Sequence, residues 1–288
     1  MRSTQAVTCL LAFAAGLALT ACTSAAFPRE EKMKPAELIA RHLDSIGKAE
    51  ARSAVRNQEV AAKVNAIFRL GSSLGQFTGT GSIISQAPMI RYAMNFNRED
   101  YPGEQMVFDG RKVSEATLRP AVRSDLTKIV HDYDFILKEG LLGGTLSSTW
   151  CLLDPGARQA KLDYRGIKKI DGRQLHELRI QPKGSSNWNV FLYFEPETFR
   201  HVLSTYELKV QPYLAGRIDE SARQADSYWR LREQFADFKE TDGITIPMSY
   251  TLRLTFDSPD HPFITTWEFR VTEVHHNQPL DASVFTIR

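Results

Sequence analysis

Cysteine is scarce in this chain: Cys9, Cys22 and Cys151 are the three present. Cys9 and Cys22 fall in an N-terminal leader region, so one internal thiol remains. One thiol closes no internal disulfide, which excludes a disulfide scaffold. Cys151 sits between Trp150 and Leu152, with Leu153 beyond. That apolar setting predicts a buried, inert thiol rather than a nucleophile. Excess charge is lacking too. Thirty-six Lys and Arg stand against 34 Asp and Glu, with no dense basic stripe, so nucleic acid is not an expected partner. Two recognisable catalytic signatures are absent: no P-loop and no H-E-x-x-H. The glycine-rich stretch Gly71–Gly81, "GSSLGQFTGTG", lacks a following Lys-Ser or Lys-Thr pair and is expected to be a mobile hairpin or loop rather than a phosphate cradle. His275 and His276 are adjacent, so on a strand they point to opposite faces. His42, His131, His176, His201 and His261 have no ligand spacing and are expected to be solvated or at the edge of the core. Asp132 and Asp134 flank Tyr133 and read as a solvated face. No metal, no cofactor and no catalytic residue is expected, and the chain is read as a non-enzyme.

Long hydrophobic runs are also missing. The one apolar stretch, Ala6–Leu19, is too short for a comfortable membrane span and has the character of a secretory signal behind Arg2. It ends in Leu19-Thr20-Ala21-Cys22, which resembles the lipobox of bacterial lipoproteins. That resemblance implies cleavage after residue 21, acylation of Cys22, and a membrane anchor facing the periplasm. Thr23, a non-Asp residue after the cysteine, implies the outer membrane. Residues 1–21 are thus expected to be the signal peptide and 22–34 a small, polar lipidated tether.

What is plentiful is alternation. In "ITIPMSYTLRLTF" the residues Ile246, Met248, Tyr250, Leu252, Leu254 and Phe256 fall on one face. Pro247, Ser249, Thr251, Arg253 and Thr255 fall on the other, the period-two pattern of a strand with one dry face. Similar runs include Val60–Phe68, Ile90–Phe96 and Phe263–Val271. Phe108–Lys112 carries Asp-Gly at its centre and predicts a hairpin turn. A helix is predicted from Pro35, with Leu38, Ile39, His42, Leu43 and Ile46 on one side and Gly47 as its stop. A shorter helical piece follows at Ala49–Val55. Between Ser124 and Asp154 the strand rhythm breaks. Leu126, Ile129, Val130 and Tyr133 have helical spacing, with Ser124 as a cap. Residues 211–225 are polar and unpatterned, read as an insertion or long loop. The links are too short for parallel crossovers. The expected architecture is α+β: one strongly curved antiparallel sheet with a few helices on its concave side.

Several stretches carry a family likeness. "HLDSIGKAEARSAVRNQEVAAKV", then "YRGIKKIDGRQLHELRIQPKG" and the turn "EPET", then "ETDGITIPMSYTL" and the terminal "NQPLDASVFTI" resemble the LolA/LolB-like lipoprotein-carrier superfamily. The likeness covers roughly residues 34–288 and implies a single half-barrel domain over 35–288. Its fold would be an incomplete β-barrel with helices covering its concave mouth. It implies an apolar cavity for an acyl chain, lipid or lipoprotein, used in transport or sorting in the cell envelope. The side chains expected to line it are Met94, Phe96, Phe191, Tyr193, Trp229, Met248, Tyr250, Leu252, Trp267 and Phe269. The chain departs from the soluble carrier in having a lipobox, and no residue here matches that carrier's cargo-gating arginine. An envelope sensor or interaction module of the same fold is the alternative. An enzyme acting on lipid or glycan is the remaining class.

Overall fold

Two helices precede the first strand, as the sequence predicts. Helix α1, Pro35–Ile46, starts at a proline with preset φ, buries Leu38, Ile39, His42 and Ile46, and closes at Gly47. Helix α2, Ala49–Ala54, is a short, partly exposed turn after it. The computed structural model describes residues 33–116, 123–156, 160–183, 185, 187–210, 227–258 and 262–287. The leader, the lipobox cysteine and the segment 211–225 lie outside the described residues.

Twelve strands follow in two antiparallel meanders. The first is β1 (Gln58–Leu70), β2 (Ser73–Gln86), β3 (Met89–Phe96), β4 (Gly103–Phe108) and β5 (Val113–Glu115). The second is β6 (Lys161–Ile170), β7 (Arg173–Gln181), β8 (Trp188–Phe194), β9 (His201–Val210), β10 (Ser227–Thr241), β11 (Ile244–Asp257) and β12 (Phe263–His276). The meanders join where β1 pairs with β12, from Gln58 opposite His276 to Leu70 opposite Phe263. The sheet order is therefore β5-β4-β3-β2-β1-β12-β11-β10-β9-β8-β7-β6, with β5 and β6 as free edges. Strands this long twist, and a sheet this wide curls rather than staying flat. The result is the expected incomplete barrel with helices on its concave side.

The topology dictates where those helices go. The first meander ends at one edge of the sheet and the second begins at the opposite edge. The chain between them must cross the sheet. It does so as an apolar insert: α3 (Asp125–Asp132), α4 (Phe135–Lys138) and a 3-10 turn at Gly144–Leu146. Ser124 caps α3, its Oγ accepting from Thr127 N at 3.0 Å. The Asp-Gly hairpin also forms, with Gly110 at φ +90° and Asp109 Oδ1 accepting from Arg111 N and Lys112 N.

One sequence expectation resolves to one of its two alternatives. The glycine-rich stretch is a hairpin and not a loop: Gly71 and Ser72 make the turn, and residues 73–86 form β2, paired along its length with β1. Gly79 and Gly81 face inward. A Cβ on Gly79 would lie 2.1 Å from the Asn95 carbonyl oxygen, and one on Gly81 would lie 2.8 Å from the Phe269 ring. The missing side chains let neighbouring backbone and rings close onto the strand where the sheet bends.

Candidate functional site

The inward residues of the strands build one continuous apolar surface. Val60, Val64, Ile83, Ile90, Tyr92, Met94, Met106, Leu178, Leu192, Tyr206, Leu231, Leu252 and Leu254 are all buried on it. The insert lies against this surface with Leu126, Ile129, Val130, Phe135, Ile136, Leu141, Leu142, Leu146, Trp150 and Leu152, all equally buried. The dry face of β11 therefore meets the insert and α1. Two recesses reach inward, of about 50 Å3 and about 10 Å3. The larger holds a few waters at most, and neither admits an acyl chain.

Specific polar ties join insert and sheet. Glu233, on β10, is fully buried beside the insert. Its Oε1 accepts from Gly143 N and Tyr250 Oη, each at 2.7 Å, and its Oε2 lies 2.6 Å from Tyr206 Oη. Tyr206 Oη is also 2.9 Å from the Leu141 carbonyl oxygen. A neutral carboxyl satisfies the whole set: Glu233 donates to Tyr206, which donates onward to Leu141. Burial raises the Glu233 pKa, the same direction. Glu104, on β4, is the second buried carboxylate. It accepts from Tyr101 Oη and from the capping hydroxyl of Ser124, both at 2.5 Å. Burial pushes its pKa up to about 7, against the lowering effect of those two donors. Further ties are Gln58 Nε2 to the Thr145 carbonyl oxygen at 3.1 Å, Ser148 N and Oγ to Ser85 Oγ at 2.8 and 3.0 Å, and Glu115 Oε1 of β5 to Arg123 Nε at 2.8 Å and to His131 Nδ1 at 2.7 Å.

Histidines expected at the margin of the core are central to it. His42 is buried, with Nδ1 3.1 Å from the Phe199 carbonyl oxygen and Nε2 accepting from Trp150 Nε1 at 3.1 Å. One neutral tautomer, protonated at Nδ1, makes both bonds. Burial lowers its pKa to about 4. His201 stacks on Trp150 at 4.7 Å, and burial lowers its pKa as well. These rings clamp the end of the insert against α1 and β9. Asp132 and Asp134 form no acid pair; each is salt-bridged within the insert, to Lys128 and Lys138. Cys151 is buried. Among the described residues, no group of three His, Cys, Asp or Glu could hold a metal ion.

Of the ten side chains expected to line one space, the structure brings eight to the inner face. Met94, Phe96, Tyr250, Leu252, Trp267 and Phe269 are buried there. Met248 is half-buried against the same core. Trp229 is also half-buried, its ring 4.5 Å from Phe256 and 5.6 Å from Phe263. Phe191 and Tyr193 are on the other face. Strand β8 turns Trp188, Val190, Leu192 and Phe194 inward, and the odd residues pack outward with Leu175, Val202 and Leu203. Large size suggested these two rings; strand phase excludes them from the interior. Glu104 and Glu233 escaped the sequence reading, though a signal existed. Each is the one charge within an otherwise apolar alternating run, in Glu104-Met106-Phe108 and Trp229-Leu231-Glu233-Phe235.

No protein-family model matches this chain, and no curated protein matches it. Solved structures do align. A LolA superfamily protein from Nitrosomonas europaea covers 89% of this chain and 99% of its own, at 12% identity and a TM-score of 0.48. A domain from Vibrio parahaemolyticus, provisionally described as an outer-membrane lipoprotein-sorting protein, covers 88% and 97%, at 10% identity and 0.44. A DUF1329 family protein from Desulfovibrio piger covers 88% and 98%, at 10% identity and 0.41. Likenesses at these scores carry no conclusion about what this chain binds.

Proposed function

We propose that this protein holds an acyl chain, as a lipid or an acylated protein, between the inner face of its open sheet and the insert. In this reading it serves transport or sorting in a bacterial envelope, tethered by an acylated Cys22 and catalysing nothing. One observation supports the reading above others: an apolar sheet face is covered by an equally apolar insert, packed on it through buried side chains and joined to it at separate polar contacts. The insert's side chains fill the space an acyl chain would take. Ligand uptake is then an exchange, in which apolar contacts with the insert are replaced by apolar contacts with the chain. Such an exchange needs little net burial, because each methylene withdrawn from water is worth about 0.8 kcal/mol whichever partner covers it. A binder of this kind needs a conformation with the insert displaced, populated weakly without ligand and favoured with it.

Two measurements test this. Protein purified from its native membrane is extracted with organic solvent and examined by mass spectrometry, where a bound lipid or acylated species is expected. The delipidated protein is titrated with a fluorescent fatty acid, with saturable binding reversed by a lysophospholipid as the expected result. A folded protein that carries no lipid and binds no acyl probe rejects the reading. Labelling with a palmitate analogue checks the anchor: wild type takes up label and Cys22→Ala does not.

A further inference from the structure

Two grooves cross the outer face of the sheet, and one has the chemistry of a binding site. It lies over β6 to β10, with a volume of about 480 Å3, in the range of small-ligand sites. Its floor carries Phe191 and Tyr193, the rings that strand phase turned outward, with centroids 6.4 Å apart and planes inclined by 34°. Phe191 is half-buried, so part of its ring meets solvent. It stands in a row across four strands: Arg179 opposite Phe191, Phe191 opposite Thr205, Thr205 opposite Arg232. Strand spacing puts the backbone positions of Arg179 and Arg232 roughly 14 Å apart, across three strand steps. The parallel row two residues along supplies Asn189, Glu207 and Arg230.

The arginines are held in place. Arg230 donates to Glu207 Oε2 at 2.8 Å and to Asp257 Oδ2 at 2.6 Å, and Arg232 pairs with Asp171. A guanidinium fixed by carboxylates on one side keeps further donors for a ligand. Arg179 differs. Among the described residues its side chain donates to Asn189 Oδ1 at 3.4 Å and no carboxylate pairs with it. The groove thus presents an aromatic face, planar donors, a carboxylate acceptor and one uncompensated cation.

We propose that this groove binds an acidic saccharide. The mixed lining decides the class. A polymer with more than one charge per unit, such as a heavily sulfated glycan, would meet Glu207 and the carboxylates behind the arginines, which repel it. An apolar ligand would leave the guanidiniums unpaired. A sugar chain has apolar C–H faces that stack on a ring such as Phe191 and hydroxyls that both donate to Glu207 and accept from Asn189 and the arginines. A single carboxylate on the sugar answers Arg179. The site is separate from the inner face, so its test stands apart from the acyl-binding reading.

Affinity electrophoresis of the full mature protein through gels containing polygalacturonate, alginate, hyaluronan or neutral dextran tests the proposal. At least one acidic polymer should retard the wild type, more than dextran does. Phe191→Ala should weaken that retardation about tenfold, the worth of one aromatic contact. Arg179→Ala should remove the preference for the acidic polymer. Arg270→Ala, in the second outer groove, should behave as wild type, and Arg179→Ala should bind the fluorescent fatty acid as wild type does. Thermal melting confirms that each variant is folded, and Asn189→Ala replaces Phe191→Ala if that variant is not. Failure of all three acidic polymers to retard the wild type overturns the proposal. So does equal retardation of the Arg179 and Arg270 variants, which marks unspecific charge attraction.

Discussion

Single residues set how this fold responds to pH, and Glu104 and His42 act in opposite directions. Glu104 titrates near 7 in the folded protein against an ordinary 4.5. Its raised value means the folded state holds the proton longer than the unfolded chain. Stability from this group is therefore full below about pH 4.5 and is lost as pH rises to about 7, by about 3 kcal/mol in total. His42 is depressed from 6.5 to about 4, so the folded state refuses a proton the unfolded chain accepts. Its contribution is full above 6.5 and is lost as pH falls towards 4. Between 4.5 and 6.5 the two slopes oppose. Glu104→Gln separates them, because His42 is common to both proteins. Relative to wild type, the variant should gain about 3 kcal/mol in urea denaturation between pH 4.5 and about pH 8. A difference that does not change with pH would sink the assignment. Among the described residues the charge acting on Glu104 is Asp125 on α3, with Tyr101 and Ser124 as neutral donors, and none is a cation that would reverse the sign.

At the level of elements, the sequence was most readable where one face of a strand is dry. Strand β11 shows this: Ile246, Tyr250, Leu252 and Leu254 are buried as the alternation predicts. Helix α1 and the Ser124 cap were equally readable, since both depend on local spacing. Strand β2 was not, because glycine has no side chain to show a period and suggests a turn on propensity alone. Its strand character comes from the partners on both sides, which a single sequence does not display. The glycines of β2 are also unequal. Gly79→Ala forces a Cβ to 2.1 Å from the Asn95 carbonyl of β3, where backbone must move, and should cost about 1–3 kcal/mol or more. Gly75→Ala meets nothing closer than 4.0 Å, the Phe68 Cβ, and should be neutral within about 0.5 kcal/mol. Chemical denaturation of the pair decides; equal losses would contradict the packing argument for β2.

For the whole molecule, the topology links the fold to its proposed use. A chain that ends one meander at β5 and starts the next at β6 must traverse the concave face, so the insert follows from strand order rather than from its own helical propensity. The sequence marked the insert as helical but not as the filling of the sheet, because that role comes from contacts between residues far apart in the chain. Its two ends are held differently. Glu104 holds the entry through Ser124, while Ser85 holds the exit through Ser148. The exit offers a lock. The Ser85 and Ser148 hydroxyl oxygens are 3.0 Å apart on residues separated by 63 in sequence. Cysteines at both positions, in a Cys151→Ala background, can close a disulfide with modest adjustment to the roughly 2 Å sulfur–sulfur distance. Oxidation should stabilise the fold by about 4 kcal/mol on the loop-entropy account. If an acyl chain enters by displacing the insert, the oxidised protein should lose binding of the fluorescent fatty acid, and reduction should restore it. The reduced double variant is its own control, identical in composition and free to open. Unchanged acyl binding in the fully oxidised protein, with the cross-link verified by mass spectrometry, would show that the insert need not leave the sheet at this end, and the exchange mechanism would fall.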